Sequence, residues 1–472
     1  ASRGFRGPAP ASGERVTNDD WQADRIAAAP AWRRPSGAEL RGLARLERDE
    51  RGFPGPYGSD PARLFGGVDR VARGRNTRGL LQAAAAIPVG EARVRARFGW
   101  LSQTGRFESR FGPSRSATRR TTARLQADLP IGPRASLSGG GELLAERGES
   151  TFIRGDGSEV PVKRSVASAF AEARYDAGGR WLATAGARVE RIARAALPPD
   201  PLAFPPRPLL PADVVTAVTP RLSAAWTVWS DGGGRWTRLR ASAGLGIRPP
   251  DAFELAFTDN PALAPERSRS VDVGLEQALA SGRVIAELTL FHNRYDDLIV
   301  AIGRSLRDAS RYRSDNISNA RARGAEVAVT GRGPRGLVVS AAYTRLDTAI
   351  LSVDRLARVA PPPFVPGDPL PRRPRHQAWL SAAWRGARGS AFLEAGFRSS
   401  VLDVEPNLGL FGGVFRTPGY AVVNAGGAVR LPRGAEVFGR ITNLFDRRYE
   451  EVLGFPAPRR AALVGVRLAA TR

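Results

Sequence analysis

The chain has 472 residues, a formal net charge of +25 at pH 7, no cysteine and no methionine. The lack of cysteine excludes disulfides, thiolate catalysis and cysteine-ligated metal sites. Lys163 is the only lysine, and the arginines are spread along alternating positions, whereas proteins that bind duplex nucleic acid gather basic residues on one helix or groove. Composition therefore argues against a nucleic-acid partner, and the length fits either three soluble domains or one large barrel.

Most of the chain alternates between apolar and polar residues, the period-two pattern of β-strands with one apolar face. No run of about 18 apolar residues occurs, so the sequence predicts no transmembrane helix. A weakly hydrophobic alternating chain is what a membrane-spanning β-barrel shows. The chain opens at Ala1 without an initiator methionine or an apolar secretory signal, and we expect its natural start to lie upstream.

The first segment predicts two strands before a long connection. Val16–Ile26 alternates loosely and predicts a strand, and Pro30–Ser36 predicts a turn. Glu39–Glu47 alternates clearly and predicts the second strand. Residues 49–73 are too rich in glycine and proline for regular structure.

From residue 76 onward, short turns join the predicted strands into hairpins. In the strand 118–129, Ala123, Leu125 and Ala127 share one face, and the residues between them are polar. The predicted strands are 76–87, 92–101, 118–129, 135–144, 166–175, 181–189, 218–228, 236–247, 271–279, 284–299, 325–330, 337–344, 378–384, 391–397, 420–431, 435–445 and a last one at 463–468.

Long connections alternate with the short turns. They are predicted at 49–73, 105–116, 148–161, 194–216, 248–266, 301–313, 350–372, 401–417 and 446–459. Nine short turns and nine long loops predict 19 strands. Short periplasmic turns and longer extracellular loops are typical of an all-β, transmembrane, antiparallel up-and-down β-barrel in a bacterial outer membrane. Aromatic residues near strand ends fit girdles at the two membrane interfaces: Trp100, Trp181, Trp229, Trp236 and Tyr343.

One stretch near the C-terminus resembles the signature of a known protein family. Asn443-Leu444-Phe445-Asp446-Arg447-Arg448-Tyr449 resembles the Asn-Leu-Phe-Asp-x-x-Tyr signature of TonB-dependent outer-membrane receptors, where it sits in the penultimate strand. Four further stretches resemble the same family, in the order that it requires. They are Gly246 to Leu255 with Arg-x-Pro before Glu-Leu, Asn260 to Glu276 with Asn-Pro-x-Leu-x-Pro-Glu, Phe291 to Ile299, and Asn316 to Glu326.

The resemblance implies a receptor of the siderophore or cobalamin type, for active uptake driven through TonB. Receptors with a plugged lumen have 22 strands, so we expect residues 1–472 to be the barrel domain, truncated at its N-terminus by three strands and the plug. The implied partners are the TonB complex, through the missing N-terminal region, and outer-membrane lipid and lipopolysaccharide. The chain ends on Ala469-Ala-Thr-Arg472, whereas the family tends to end on an aromatic residue.

No catalytic or cofactor-binding constellation is evident. His292 and His376 are the only histidines and have no neighbouring ligand at metal-site spacing. The glycine run Gly139–Gly141 precedes no helix that could direct its amides at a phosphate. We therefore expect neither an enzyme nor a cofactor.

Ligand contacts are expected from aromatic and arginine residues in the long loops. Such side chains grip a bulky anionic metal chelate, or a cobalamin-like ligand, by stacking and charge, although packing of the loops against each other explains each one equally well. The candidates are Phe53, Tyr57, Phe65, Arg248, Phe253, Phe257, Arg311, Tyr312, Phe411 and Phe415. Two other functions stay open: a passive porin-like or adhesive barrel, and a basic nucleic-acid-binding protein.

Overall fold

A computed structural model describes most of the chain. The residues it describes are 16–61, 63, 67–109, 112–150, 161–202, 207–256, 258, 260–303, 312–353, 365–405 and 409–468. Within them the chain forms one 20-stranded sheet and two small two-stranded sheets. All pairings between strands are antiparallel, which confirms the predicted all-β up-and-down architecture.

The 20-stranded sheet forms the wall of the barrel, and its long strands are joined mainly as hairpins. Its strands are β1 Trp21–Ala28, β2 Ala31–Arg33, β3 Glu39–Gly52, β4 Arg73–Val89, β5 Ala92–Ser109, β6 Gly112–Ile131, β7 Ala135–Ser150, β8 Val162–Asp176, β9 Trp181–Arg194, β10 Asp213–Ser230, β11 Trp236–Arg248, β12 Glu266–Leu279, β13 Val284–Gly303, β14 Tyr312–Arg332, β15 Leu337–Val353, β16 His376–Arg385, β17 Gly389–Arg398, β20 Tyr420–Arg430, β21 Ala435–Thr442 and β24 Ala461–Leu468. The two small hairpins are β18 Val401–Glu405 with β19 Gly409–Thr417, and β22 Glu450–Val452 with β23 Phe455–Pro456.

Helical structure among the described residues is confined to loops and turns. One α-helix, α1, spans Ala252–Ala256, and 3-10 turns lie at Pro334–Gly336 and Pro432–Gly434. Across the described ranges, no helix is both long and apolar enough to cross a membrane.

The strand count agrees with the sequence prediction. Strands that follow one another in the wall pair with each other. The hairpins β18–β19 and β22–β23 lie in long loops outside the wall, so β17 pairs with β20 and β21 pairs with β24. Both β1 and β2 pair with β3 and follow one another along it. The 20 described strands of the sheet therefore fill 19 positions around the wall.

The predicted turn at Pro30–Ser36 is wrong in part. Proline lacks a backbone N–H and so interrupts a ladder of hydrogen bonds, and here Pro30 separates β1 from β2 while its carbonyl accepts from the Gly42 amide at 2.8 Å. The chain then resumes pairing as β2. The turn lies at residues 34–38, where Gly37 adopts a φ of 83° and donates to the Arg34 carbonyl.

Several strands extend further towards the long loops than predicted. The loop predicted at 105–116 is wrong, because β5 and β6 stay paired as far as Ser109 opposite Gly112. The loop predicted at 301–313 is shortened in the same way by β13 and β14. Strand pairing rests on backbone hydrogen bonds and continues above the apolar belt, where the alternation of side chains no longer signals it.

The two faces of the wall separate as predicted. On β6, Ala123, Leu125 and Ala127 are exposed on the outer face, and the intervening Arg124 and Gln126 are partly buried on the lumenal face. The lumenal side carries ion pairs between neighbouring strands, such as Arg95 with Asp128 at 2.9 Å. Apolar residues therefore line the surface that meets lipid and polar residues line the lumen.

Because the two faces differ, we expect a charged side chain to destabilise the protein more on the outer face than on the lumenal face. Val327, 40% exposed on the outer face of β14, lies opposite Leu288, whereas the adjacent Ala328 faces the lumen opposite Glu287. We expect Val327→Arg to lower the free energy of unfolding by about 2 kcal/mol, because arginine enters the hydrocarbon. Ala328→Arg is the matched control and should change stability little. Reversible denaturant unfolding in lipid checks this, and equal losses would contradict the assignment of faces.

Candidate functional site

The end of the barrel that carries the long loops is stabilised by two separate groups of residues. The first, the helix-side cluster, consists of Val162, Leu197, Leu210, Leu255 and Leu263, all buried. These residues come from the start of β8, the loop between β9 and β10, α1 and the loop before β12. Leu197 and Leu210 exchange backbone hydrogen bonds at 2.9 and 3.0 Å. A small hydrophobic core therefore fixes two long loops to each other and to the start of β8 above the wall.

Arg248 holds the helix-side cluster to the barrel. Its guanidinium donates to the two carboxylate oxygens of Glu266 at 2.6 and 2.7 Å and to those of Glu254 at 2.8 and 3.0 Å. These hydrogen bonds, Glu266 first and then Glu254, raise the pKa of Arg248 above its ordinary value. Arg248, which the sequence offered as a ligand contact, thus joins β11 to α1 and β12.

Local hydrogen bonds explain why α1 forms at this point. The Asp251 carboxylate accepts from the Glu254 amide at 2.8 Å, and the Glu254 carboxylate accepts from the Asp251 amide at 2.8 Å. This reciprocal capping box satisfies amides that a helix start leaves unpaired. It also directs the Glu254 carboxylate towards Arg248.

Asn316 fastens the loop before β12 to β14. Its side-chain oxygen accepts from the Ala264 amide at 2.7 Å, and its side-chain nitrogen donates to the Ala264 carbonyl at 2.9 Å. The same nitrogen also donates to the Asp297 carbonyl at 2.7 Å. Two stretches that carry the family resemblance, around residues 260 and 316, are therefore in direct contact. In this contact Asn316 holds the loop before β12 in place.

The second group, the hairpin-side cluster, consists of Tyr57, Asp403, Thr417, Glu450 and Leu453. Asp403 is 0% exposed, and its carboxylate accepts from the Leu453 amide at 2.8 Å and from Thr417 Oγ1 at 3.5 Å. Arg372 Nε donates to the same carboxylate at 2.6 Å. A buried carboxylate needs such donors, and here it draws the β18–β19 hairpin against β22 and the loop before β16.

Glu450 joins the last long loop to the first. One carboxylate oxygen accepts from the Ser59 amide at 2.7 Å and the other from the Gly454 amide at 2.9 Å. The Gly454 carbonyl in turn accepts from the Tyr57 amide at 2.9 Å. A side chain at Gly58 would place its Cβ 2.2 Å from the Glu450 carboxylate. Loops from opposite ends of the chain therefore meet closely at the mouth.

The family signature forms a turn that ends β21. Asn443 adopts a φ of 50° and is nearly fully buried, and its side chain donates to the Arg447 and Pro458 carbonyls at 2.8 and 3.1 Å. Its oxygen accepts from the Arg447 amide at 2.8 Å. The strand predicted to run to residue 445 ends instead at Thr442, because asparagine tolerates positive φ and breaks the pairing.

The remaining signature residues face different surroundings. Leu444 donates its amide to the Val423 carbonyl at 2.7 Å, and Phe445 is 75% exposed. Tyr449 lies against Tyr420, with ring centroids 4.2 Å apart, and burial raises the pKa of the Tyr449 phenol. The signature thus carries a structural role at the junction of wall and loop.

Asp446 makes this turn sensitive to acid. Arg459 Nε donates to its carboxylate at 2.7 Å and the Arg460 amide at 2.9 Å, which holds the pKa of Asp446 well below its ordinary value. An aspartate with a lowered folded-state pKa stabilises the fold above the pKa of the unfolded chain, near 3.8, and that stabilisation is lost as the pH falls through the folded value.

We therefore expect Asp446→Asn to flatten the pH dependence of the unfolding midpoint below about pH 4. Midpoints of urea unfolding measured from neutral to acid pH check this. Asp24→Asn is the matched control, since Asp24 is exposed on β1 and makes no hydrogen bond among the residues that the structure describes. Parallel pH profiles for wild type and Asp446→Asn would contradict the role assigned to Asp446.

The predicted ligand residues lie in several different parts of the structure. Phe53 packs edge-to-face on Phe107, with centroids 5.4 Å apart, Tyr57 belongs to the hairpin-side cluster, and Phe415 lies on β19 opposite Asp403. Phe253 lies in α1, Tyr312 begins β14 and Phe411 lies in β19. Phe65, Phe257 and Arg311 lie outside the described residues. The structure thus places the described candidates around the mouth, on several loops and strand ends, and whether any of the ten candidates contacts a ligand stays a prediction.

Sequence reasoning missed the residues that organise the mouth. Asp403, Glu450 and Arg372 each act through partners distant in sequence, and no local pattern marks them. Glu266 ends the Asn-Pro-x-Leu-x-Pro-Glu stretch, but that stretch did not indicate its contact with Arg248. Asn316 begins one of the stretches that resemble the family, but the order of residues in that stretch did not indicate a contact with Ala264. In the described part of the chain, no group of three or more histidine, aspartate or glutamate residues is arranged to hold a metal ion.

A family model matches nearly the whole wall. The family described as TonB dependent receptor-like, beta-barrel, matches residues 15–444. This range begins before β1 and ends within the signature turn.

A curated protein is similar in sequence to half of the chain. The metal-pseudopaline receptor CntO of Pseudomonas aeruginosa is 24% identical over 238 residues, which cover 50% of this chain and 30% of that receptor. The match therefore spans less than a third of the length of this curated relative.

Solved structures share the fold over nearly all of the chain. The copper transporter OprC superposes with a TM-score of 0.77 at 16% identity, covering 98% of this chain and 74% of that one. The siderophore receptor PiuA from Acinetobacter baumannii gives a TM-score of 0.76 at 12% identity, covering 98% and 76%. The FrpB iron transporter from Neisseria meningitidis gives 0.75 at 13%, covering 98% and 75%.

Proposed function

Since this chain belongs to the β-barrel family of TonB-dependent receptors, we propose that it serves the active uptake of a chelated metal across the outer membrane. The protein is an outer-membrane β-barrel of Gram-negative bacteria, as its structural neighbours are. The family consists of receptors and transporters rather than enzymes, which confirms the prediction that the chain is not an enzyme.

The observation that carries the proposal is the family match over residues 15–444. The names of the relatives add to it: a metal-pseudopaline receptor, a copper transporter and a siderophore receptor. They favour a metal or metal chelate as cargo over cobalamin, which the sequence resemblance had also suggested.

The chemistry of the mouth supports an anionic, partly aromatic chelate. Phe53 and Tyr57 lie on the first long loop, and Phe415 lies on the hairpin that belongs to the hairpin-side cluster. Aromatic faces beside arginines bind flat, negatively charged ligands by stacking and charge. The proposal assigns ligand capture to this mouth, and in particular to Phe53, Tyr57 and Phe415.

Energy coupling is assigned to the TonB complex. This contact is assigned to the N-terminal plug region that is typical of the family, outside these 472 residues. A passive porin-like or adhesive barrel is the alternative, and it differs in requiring no energy source.

The test is uptake by cells that express the full-length protein. We expect radiolabelled metal to accumulate when it is supplied as a chelate, and accumulation to stop in an otherwise identical strain without TonB. Comparison of ferric with divalent-metal chelates identifies the cargo class. Uptake that persists equally without TonB would favour the passive barrel, and uptake of free metal ions as efficient as that of chelates would contradict the proposed cargo.

A further inference from the structure

The short hairpin β22–β23 has different surroundings on its two sides. Glu450 and Pro456 lie against Gly58 of the first long loop. Other residues of the hairpin border a pocket of about 490 Å³, which we call the β22–β23 pocket. Its described lining consists of Tyr449, Glu451, Val452, Phe455, Ala457 and Pro458. The side chains to which the proposed function assigns ligand capture are not among these lining residues, so the pocket still lacks a role.

Aromatic rings form part of the β22–β23 pocket and its support. The Tyr449 ring lies against the ring of Tyr420, with centroids 4.2 Å apart, and Phe455 is exposed. Tyr420 also contacts a cation, because the guanidinium carbon of Arg398 lies 4.8 Å from its ring centroid. The face of an aromatic ring attracts a positive charge. The rings of the pocket can therefore bind a further cation in the same way.

Glu451 is the one charged residue in the described lining of the pocket. Its Oε1 accepts from the Tyr420 hydroxyl at 3.3 Å, and its Oε2 makes no hydrogen bond or ion pair with any residue that the structure describes. Arg398 does not pair with this carboxylate, because its guanidinium donates to the backbone carbonyls of Glu450 and Glu451 at 3.3 and 3.0 Å. The pocket therefore keeps an exposed carboxylate beside aromatic rings.

These groups favour an organic cation over an anion or a metal ion. The Glu451 carboxylate repels an anion, and burial, followed by the charge of Glu451, raises the pKa of Tyr449, so the phenol stays neutral. A bare metal ion requires several oxygen ligands, whereas here a single carboxylate stands among apolar and aromatic groups. An ammonium group is attracted by the carboxylate and by the ring faces, and its carbon substituents can pack on Val452 and Phe455.

From this juxtaposition we propose that the β22–β23 pocket binds an organic ammonium group. Tyr420 begins β20 and Tyr449 follows β21, at the ends that carry long loops, which is the extracellular side of such a barrel. The pocket is therefore open to cargo that arrives from outside. Under the proposed transport function, on which this step rests, the cargo chelate carries a protonated or quaternary amine in addition to its metal-binding groups.

The test measures the binding of two matched probes to the full-length receptor, purified in a non-ionic detergent. Choline carries a quaternary ammonium group, and 3,3-dimethylbutan-1-ol has the same shape with a neutral carbon in place of the nitrogen. Titrations followed by saturation-transfer NMR report both affinities. We expect choline to bind about 10-fold more tightly than the alcohol, because only the cation is attracted by the carboxylate and the ring faces.

Two variants separate the carboxylate from the rings. Glu451→Gln keeps an oxygen that can accept from Tyr420 but removes the charge, and it should lower the preference for choline to about 3-fold. Adding Phe455→Leu to this variant should bring the two affinities closer to equality. The matched control is Glu108→Gln, which removes a carboxylate near the extracellular end of β5, where it pairs with Arg106 at 3.1 Å. It should leave the preference unchanged.

Equal affinity of the wild-type receptor for the two probes would overturn the ammonium site. A preference that survives Glu451→Gln unchanged, or that falls equally in Glu108→Gln, would overturn it as well. Binding of these probes does not depend on transport, so the two proposals fail separately. Uptake that persists without TonB would reject the transport function and leave the choline preference in place, whereas a failed ammonium site would leave TonB-dependent uptake in place.

Discussion

Replacing Asp403 by asparagine is expected to release the hairpin-side cluster. Both carboxylate oxygens accept hydrogen bonds, from Arg372 on one side and from the Leu453 amide on the other. An amide group of the same shape must direct its nitrogen at one of these donors. The site is 0% exposed, so water cannot compensate, and we expect a loss of about 3 kcal/mol in the local opening free energy.

Hydrogen exchange locates this loss. Amides of β18, β19 and residues 450–456 should exchange about 100-fold faster in Asp403→Asn, whereas the wall strands should be unchanged. Asp347→Asn is the matched control, because Asp347 pairs with Arg323 on an exposed face where ion pairs contribute little. Faster exchange confined to the immediate neighbours of residue 403 would show that the cluster does not depend on this carboxylate.

Replacing Arg248 by glutamine is expected to free α1 from the wall. The change leaves the Glu254 and Glu266 carboxylates, both largely buried, facing each other without a cation. Arg248 itself is 44% exposed, so solvent screens part of the interaction, and we expect a loss of about 2 kcal/mol rather than the full value for a buried pair.

Amides of α1 and of the loop before β12 should then exchange about 30-fold faster. Arg248→Lys should restore little, because one ammonium cannot bond both carboxylates in the paired geometry of a guanidinium. The double variant Arg248→Gln with Glu254→Gln should recover part of the loss by removing the repulsion. Arg269→Gln is the control, since its pair with Asp296 is more exposed. An Arg248→Gln profile identical to this control would refute the clamp.

Under the proposed function, both variants also weaken ligand capture while leaving the barrel intact. Asp403 and Arg248 position the loops that carry Tyr57, Phe253 and Phe415. Uptake should therefore fall through a higher half-saturation concentration of chelate, with the amount of receptor in the membrane unchanged.

The errors of sequence reasoning have local causes. The strand predicted at 435–445 continues three residues beyond the end of β21, but Asn443 turns the chain at positive φ, which periodicity does not register. Residues 401–417 contain the β18–β19 hairpin, whose glycine-rich sequence resembles a loop. In both places backbone conformation, rather than the pattern of side chains, sets the structure.

The amino-acid sequence by itself determined the wall: its all-β class, 19 strand positions, the outer and lumenal faces, and the alternation of short and long connections. These features depend on period-two alternation and on turn residues, which act between near neighbours in the chain. Only the tertiary structure decided the mouth, where Glu450 accepts from the Ser59 amide across 391 residues and Arg372 donates to the buried Asp403 carboxylate. Single polar contacts between distant loops leave no periodic trace in a sequence, so their partners become visible only when the fold brings them together.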